Sequence, residues 1–271
     1  MIRVLQVSDP HFGTERPQVM EAVLELGRQQ VPDLVIFSGD ITQRARRGQF
    51  ARARRFADRF QAPLLAVPGN HDLPLFNVFA RLLNPYGNYR RAFGQELEPE
   101  FETEQLLVIG VNSTRPGRHK DGEVSSRQVE RVARRLSRAR PQQLRMVVQH
   151  HPVRAAEASD TGNLLWGREL ALPAWVDAGL DLLLGGHIHL PYVLPLPGGD
   201  GKPGRRGWTV QAGTAVSSRV RGKTPNSVNL ISYQPDPQQP HCLLERWDYD
   251  AGDGGGFQIC ERSTLELSRD P

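Results

Sequence analysis

Five short apolar runs in this chain each stop abruptly at Asp, Asn or His. That repeated ending constrains the fold more than any other feature of the sequence. The runs are residues 2–7, 34–37, 64–67, 146–148 and 180–184. They lead into Ser8-Asp9-Pro10-His11, Ser38-Gly39-Asp40, Pro68-Gly69-Asn70-His71-Asp72, Gln149-His150-His151-Pro152 and Gly185-Gly186-His187-Ile188-His189. Short apolar runs bounded by turn residues read as buried strands. Helical patterns separate several of them, at 17–30, 47–60, 125–136 and 168–178. An alternation of this kind builds an α/β fold, in which ligands gather at the C-terminal ends of the strands.

The helical segments carry their own signals. Pro17 stands at a helix start, with Val19, Val23 and Leu26 on one face. In 47–60 the apolar stripe is Phe50, Ala53, Phe56 and Phe60. Arg52, Arg54, Arg55 and Arg59 fall mainly off it, which predicts a solvated face. Ser125 and Gln128 have capping-box spacing ahead of Val129, Val132, Ala133 and Leu136. A further strand is expected at 106–111.

After residue 190 the pattern becomes strands at 191–196, 207–212, 227–233, 241–248 and 256–262. Turns such as Pro197-Gly198-Gly199-Asp200-Gly201 and Gly252-Asp253-Gly254-Gly255-Gly256 join them. The C-terminal third is therefore expected to be mainly β. A single domain over 1–271 is the simplest organisation, and 271 residues supply enough chain for one large core.

Composition narrows the class. Hydrophobic residues are 38% and charged residues 24%, and no apolar run approaches the roughly 20 residues of a membrane helix. No membrane partner is expected. The N-terminus enters a strand-like run without a basic and then apolar leader, so the expected location is cytoplasmic. Cys242 and Cys260 lack zinc-site spacing and are expected to be free thiols. The net charge of +4 and the pI near 9.4 come almost wholly from Arg. Guanidinium suits phosphate, but solvated arginine-rich faces account for the same excess. Arg44, Arg46 and Arg47 leave the same two readings open.

Six of the eight His residues lie in the five strand-end segments. Imidazole and carboxylate are ligands of Mn, Fe and Zn, so Asp9, His11, Asp40, Asn70, His150, His187 and His189 are candidate metal ligands. Asp-x-His and His-x-His spacing would aim two side chains to one side of an extended segment. The neighbouring glycines would allow sharp turns and close approach to a metal or phosphate.

Taken in order, the five blocks D-x-H, G-D, G-N-H-D, H and G-H-x-H resemble those of the calcineurin-like metallophosphoesterases. The resemblance spans residues 9–189. It implies two packed mixed β-sheets flanked by helices, with the C-terminal strands completing the second sheet. It also implies two metal ions (Mn, Fe or Zn): Asp9, His11, Asp40 and His189 would hold one, and Asp40 would bridge to a second completed by Asn70, His150 and His187. His71 matches the family's catalytic, non-ligand His, so Asn70 and His71 are the expected substrate-binding residues. His151 matches no ligand position and is expected to be structural. Asp72 either orients His71 or holds the turn.

Gln43 departs from the Asp of protein Ser/Thr phosphatases and from the Tyr of purple acid phosphatases. His71 departs from the Arg of lipid A pathway hydrolases. What is left is similar to bacterial cyclic-nucleotide phosphodiesterases, which share the segment Gly39-Asp40-Ile41-Thr42-Gln43. The implied activity is hydrolysis of a small phosphodiester by a metal-bridging hydroxide. A phosphomonoesterase, a DNA exonuclease-type nuclease and a non-catalytic scaffold are the alternatives; nucleic acid is not favoured, since no aromatic-basic platform is visible. In Gly213-Thr214-Ala215-Val216-Ser217-Ser218-Arg219, hydroxyls and Arg219 either touch a phosphate or form an ordinary turn.

Overall fold

The computed structural model describes residues 1–199, 204–236, 241–252 and 254–269. Asp200 and Gly201 of the first glycine-rich turn, and Asp253 of the second, lie outside the described residues. The first part contains β1 (Ile2–Val7), α1 (Pro17–Gln30), β2 (Leu34–Ser38), α2 (Arg47–Ala57), β3 (Leu64–Val67), α3 (Val78–Leu83) and α4 (Gly87–Phe93). Then come β4 (Glu100–Glu102), β5 (Leu106–Gly110), α5 (Ser126–Leu136), β6 (Leu144–Val148), α6 (Arg168–Asp177) and β7 (Leu182–Gly185). The C-terminal strands are β8 (Tyr192–Pro197), β9 (Arg206–Gln211), β10 (Ser227–Tyr233), β11 (His241–Asp250) and β12 (Gly256–Glu266).

Two six-stranded mixed sheets result. One has the order β12-β11-β10-β1-β2-β3, the other β4-β5-β6-β7-β9-β8. Strands β1, β2 and β3 run parallel, as do β5, β6, β7 and β9. The C-terminal third divides between the sheets. Its β10 pairs antiparallel with β1, and β8 and β9 extend the other sheet.

The unbroken apolar runs follow from burial on both faces. Val4, Leu34, Ile36, Val67, Val108, Met146, Val148, Leu182 and Leu184 fill the space between the sheets. The alternate residues Leu5, Val7, Val35 and Phe37 pack outward against Val19, Val23, Phe50 and Phe56 of α1 and α2. On the other sheet Leu107, Ile109, Val147 and Leu183 meet Val132, Leu136 and Trp175 of α5 and α6. Trp175 is fully buried and donates its Nε1–H to the carbonyl of Val129 at 3.1 Å.

Local signals mostly acted as their chemistry dictates. Ser125 Oγ accepts from the N–H of Gln128, and Gln128 Oε1 accepts from the N–H of Ser125 at 2.9 Å. Helix α2 stops at Ala57, three residues short of the expected end. Phe60 packs inward from the following turn instead. Arg52, Arg54 and Arg59 pair with Glu15, Asp58 and Glu21, so that face of α2 is solvated and internally paired. Cys242 and Cys260 are both free.

Candidate metal centre

The parallel strands β1, β2 and β3 of one sheet and β6 and β7 of the other end at one place. Buried Gln6 ties them just below it, donating to Ser38 Oγ and to the carbonyl of Gly185, each at 3.0 Å. Beyond the strand ends the chain turns rather than extends. Asp9, His11, Asp40, His187 and His189 all have positive φ, between 41° and 76°. Asp and His enter that region with some cost, and such strain gathers at functional sites. The expectation that two-residue spacing aims the pairs from an extended backbone is therefore corrected. Left-handed turns converge them.

Two groups of donor atoms result. In the first, His11 Nε2 lies 3.0 Å from His189 Nε2 and 3.7 Å from both Asp9 Oδ1 and Asp40 Oδ2. His189 Nε2 is 3.2 Å from Asp9 Oδ1. In the second, His150 Nε2 lies 3.2 Å from Asp40 Oδ1 and from Asn70 Oδ1. His187 Nδ1 is 3.0 Å from that Asn70 oxygen and 3.3 Å from His150 Nε2. Asp40 belongs to both groups, one oxygen to each.

The donor chemistry fits cations. Nδ1 of His150 donates to the carbonyl of Ser38 (3.0 Å), and Nδ1 of His189 to that of Arg219 (2.6 Å). In the neutral rings each Nε2 is thereby left as a lone pair aimed at carboxylate oxygens. Lone pair against lone pair is repulsive unless a positive charge lies between them. Around a cation with bonds of about 2.0–2.2 Å, neighbouring ligand atoms sit roughly 2.8–3.6 Å apart, close to the spacings here.

Where no cation lies between these groups, protons drawn onto His150 and His189 by the carboxylates meet the same demand for positive charge. Burial opposes ionisation of Asp9, but His189 and His150 outweigh it and hold the carboxyl down at about 2. Asp40 is lowered despite burial by His150, His71 and His11. Against burial, Asp40 and Asp9 pull His150 up to about 9, and Asp9 raises His189. Burial lowers His11, to about 3, and His187.

Second contacts fix these ligand candidates. Asp9 Oδ2 accepts from Ser8 Oγ (2.7 Å) and from the N–H of His187 (3.1 Å). A Cβ on Gly186 would collide with Ser8 and Asp9, and one on Gly69 with Asp40, so close backbone approach requires glycine at both positions. His71 is held at one ring nitrogen by Nδ1–H donation to the carbonyl of Gln43 (3.0 Å), and its N–H donates to Asp40 Oδ1 (2.8 Å).

Asp72 does not touch the His71 ring. Its oxygens accept from the N–H groups of Gly69, Ile41 and Thr42 and from the Thr42 hydroxyl. It therefore holds the turn. Burial and Asp40 push it up to about 7 against those donors.

His151 packs against His150 and His187, yet both its ring nitrogens are taken. Nδ1 meets Ser113 Oγ at 2.8 Å and Nε2 the carbonyl of Lys120 at 3.0 Å. Ser8, Ser113, Gln43 and the carbonyls of Ser38, Lys120 and Arg219 support the site without any residue-type signal in the sequence. A backbone carbonyl can come from any residue.

Residues 2–191 match the family model for calcineurin-like phosphoesterases. The chain belongs to that family, and it is a metal-dependent phosphoester hydrolase of the two-metal kind. Among its relatives is a probable cyclic nucleotide phosphodiesterase of Synechococcus, 27% identical over 71% of this chain and 75% of that one. The 3′,5′-cyclic adenosine monophosphate phosphodiesterase of Escherichia coli is also 27% identical, over 69% of this chain and 70% of its own. The fold is shared with a dimetal phosphatase from Danio rerio at a TM-score of 0.65 and 15% identity, over 98% of this chain and 99% of that one. Among the described residues no helix is long and apolar enough to cross a membrane.

Proposed function

We propose that this enzyme is a phosphodiesterase acting on small phosphodiesters, with cyclic nucleotides as its substrates. One observation carries the two-metal part of this reading: Asp40 offers Oδ2 to the first donor group and Oδ1 to the second. A carboxylate so placed could serve two cations at once. Asp9, His11, Asp40 and His189 would hold one ion, and Asp40, Asn70, His150 and His187 the other. Mn, Fe and Zn all suit this imidazole and carboxylate set. Bound there, paired cations supply Lewis acidity and a water that ionises near neutral pH.

The chain's own residues do the rest. The Gln43 carbonyl fixes His71 through Nδ1 and Arg219 Nη1 lies 3.2 Å from Nε2, so Nε2 faces the site and serves a leaving oxygen when the ring carries its second proton. A proton delivered there is worth roughly 10²–10⁴-fold. Asn70 and His71, adjacent on one turn, border both the second donor group and the leaving-group side. The diester and cyclic-nucleotide preference is carried by the two relatives named for that activity.

The arginine excess gives little support to a nuclease. Arg131 and Arg135 of α5 are paired with Glu98, Glu100 and Glu102, and Arg52, Arg54 and Arg59 with Glu15, Asp58 and Glu21. Paired arginines leave little free charge for a phosphate backbone. The same reading takes residues 1–271 as one domain, because β10 joins β1 in one sheet. It also takes the cytoplasm as the compartment, in keeping with two free thiols.

The test is hydrolysis of bis(p-nitrophenyl) phosphate, p-nitrophenyl phosphate and 3′,5′-cyclic AMP with added Mn²⁺, wild type beside Asp40→Asn. Cleavage of both diesters ahead of the monoester, lost in the variant, is expected. A monoester preference would redirect the reading to a phosphatase. Cleavage of bis(p-nitrophenyl) phosphate but not of cyclic AMP would remove the cyclic-nucleotide assignment alone.

A further inference from the structure

We propose that Arg219 is an anion-binding residue of this site, its guanidinium receiving a non-bridging oxygen of the scissile phosphoryl group. The assignment rests on the phosphoesterase reading above and adds to it the protein group that meets the substrate's charge.

The loop that carries Arg219 is built onto the metal centre. Asn226 Nδ2 donates to the carbonyls of Ser217 (2.8 Å) and Thr214 (3.2 Å), and the N–H of Ala215 donates to the carbonyl of Ser8 beside Asp9. The Arg219 carbonyl accepts from His189 Nδ1 and from Thr214 Oγ1 (3.0 Å). Arg219 thus contacts the first donor group through its backbone. Its side chain crosses to the catalytic turn, where Nη1 donates to Gln43 Oε1 at 3.0 Å and lies 3.2 Å from His71 Nε2. One residue spans the distance from a metal-ligand candidate to the candidate proton donor.

The side chain's partners are what point to a ligand. Arg219 is half-buried, and its hydrogen-bond partners, Gln43 and His71, are not carboxylates. No carboxylate lies within ion-pair distance of it among the described residues. Two positions on, Arg221 pairs with Asp160 (2.7 Å) and Glu157 (2.5 Å). A half-buried guanidinium without an anion is costly. A substrate oxyanion would supply the missing charge. The planar fork has five N–H donors, and among the described residues only Nη1 has a partner. The remaining nitrogens match the geometry of a phosphoryl group. An ordinary turn would need no such side chain at this point.

The experiment uses the metal-loaded enzyme, inorganic phosphate as the calorimetric probe, and bis(p-nitrophenyl) phosphate as substrate. Arg219→Ala should keep its metal content and melting temperature, because the carbonyl that meets His189 is unchanged. Its phosphate affinity should fall roughly 10- to 100-fold, the range for a hydrogen bond to a charged group, with KM for the diester raised. Arg219→Lys, which keeps the charge without the fork, should recover part of the phosphate affinity. Equal phosphate affinity in wild type and Arg219→Ala would overturn the assignment and leave the phosphoesterase reading standing. Loss of metal in both variants would also overturn it, by showing that the residue serves only to place His189. A metal-loaded wild type that neither binds phosphate nor cleaves the diester would remove the underlying reading, and the assignment with it.

Discussion

Asp72 takes both the N–H (2.7 Å) and the hydroxyl (2.9 Å) of Thr42 on one carboxylate oxygen, and the N–H groups of Gly69 (2.9 Å) and Ile41 (3.0 Å) on the other. These contacts lock the turn after β3 to the turn after β2, and so fix Asn70 against Asp40. Asp72→Ala would leave several buried donors without acceptors. Each unsatisfied group costs about 1–3 kcal/mol. We expect at least about 3 kcal/mol of lost stability in urea unfolding, together with weaker metal binding. A loss of less than about 1 kcal/mol would show that the turns hold without it.

Asp40→Asn separates charge from shape. The amide retains an oxygen to accept from the His71 N–H, so the fold should persist. The variant cannot offer an anionic oxygen to each donor group. Metal content measured by atomic emission should drop at least about tenfold, while the circular dichroism spectrum stays that of wild type. Full metal occupancy in the variant would contradict the bridging role.

His150 and His151 are adjacent and both buried, yet opposite outcomes are expected from them. His150→Ala removes a nitrogen aimed at Asp40 and Asn70, and should lose metal. His151→Ala removes a ring whose two nitrogens already serve Ser113 and the Lys120 carbonyl. It should keep metal and lose about 2–4 kcal/mol through the cavity and the stranded partners. Metal analysis and denaturant unfolding on both variants separate the roles. Metal loss on replacing His151 would make it a ligand.

Much of this site was legible in the sequence because its candidate ligands are side chains at the ends of buried strands. Burial on both faces wrote β1, β2, β3, β6 and β7 as unbroken apolar runs, and Asp, Asn or His marked each stop. The positive φ of Asp9, His11, Asp40, His187 and His189 left no such mark, since these residue types also occur in extended backbone. Helices α3 and α4 were not legible either. Phe76, Val78, Phe79, Leu82 and Leu83 face outward, so α3 shows no inward apolar stripe. The insertion of β10 beside β1 depends on pairing across more than 200 residues, which local periodicity does not encode.

That outward face of α3 yields a prediction of its own. Phe79 is 80% exposed and Leu83 is 83% exposed, so neither contributes core burial. Phe79→Ser and Leu83→Ser should each change stability by no more than about 0.5 kcal/mol. The equally apolar Phe50, 1% exposed, should cost about 3–5 kcal/mol when cut to Ala. Thermal melts of the three variants decide it. A large loss at Phe79 or Leu83 would mean that the segment packs inward.

Metal removal tests the centre as a whole. Without cations, the ionised Asp9 and Asp40 face each other and several imidazole lone pairs in a buried site. Ions that bind the folded chain and not the unfolded one stabilise it by mass action. At a hundredfold excess over the dissociation constant the gain is about 2.7 kcal/mol for one site. For a chain of this size that corresponds to roughly 5–10 °C in melting temperature. Chelation should therefore lower the melting temperature by at least that amount, and Mn²⁺ or Zn²⁺ should restore it. In Asp40→Asn the same treatment should move the melting temperature little, because the variant holds little metal to lose. A wild type indifferent to chelator, with metal shown to be gone, would mean that the donor groups are held apart by the fold alone.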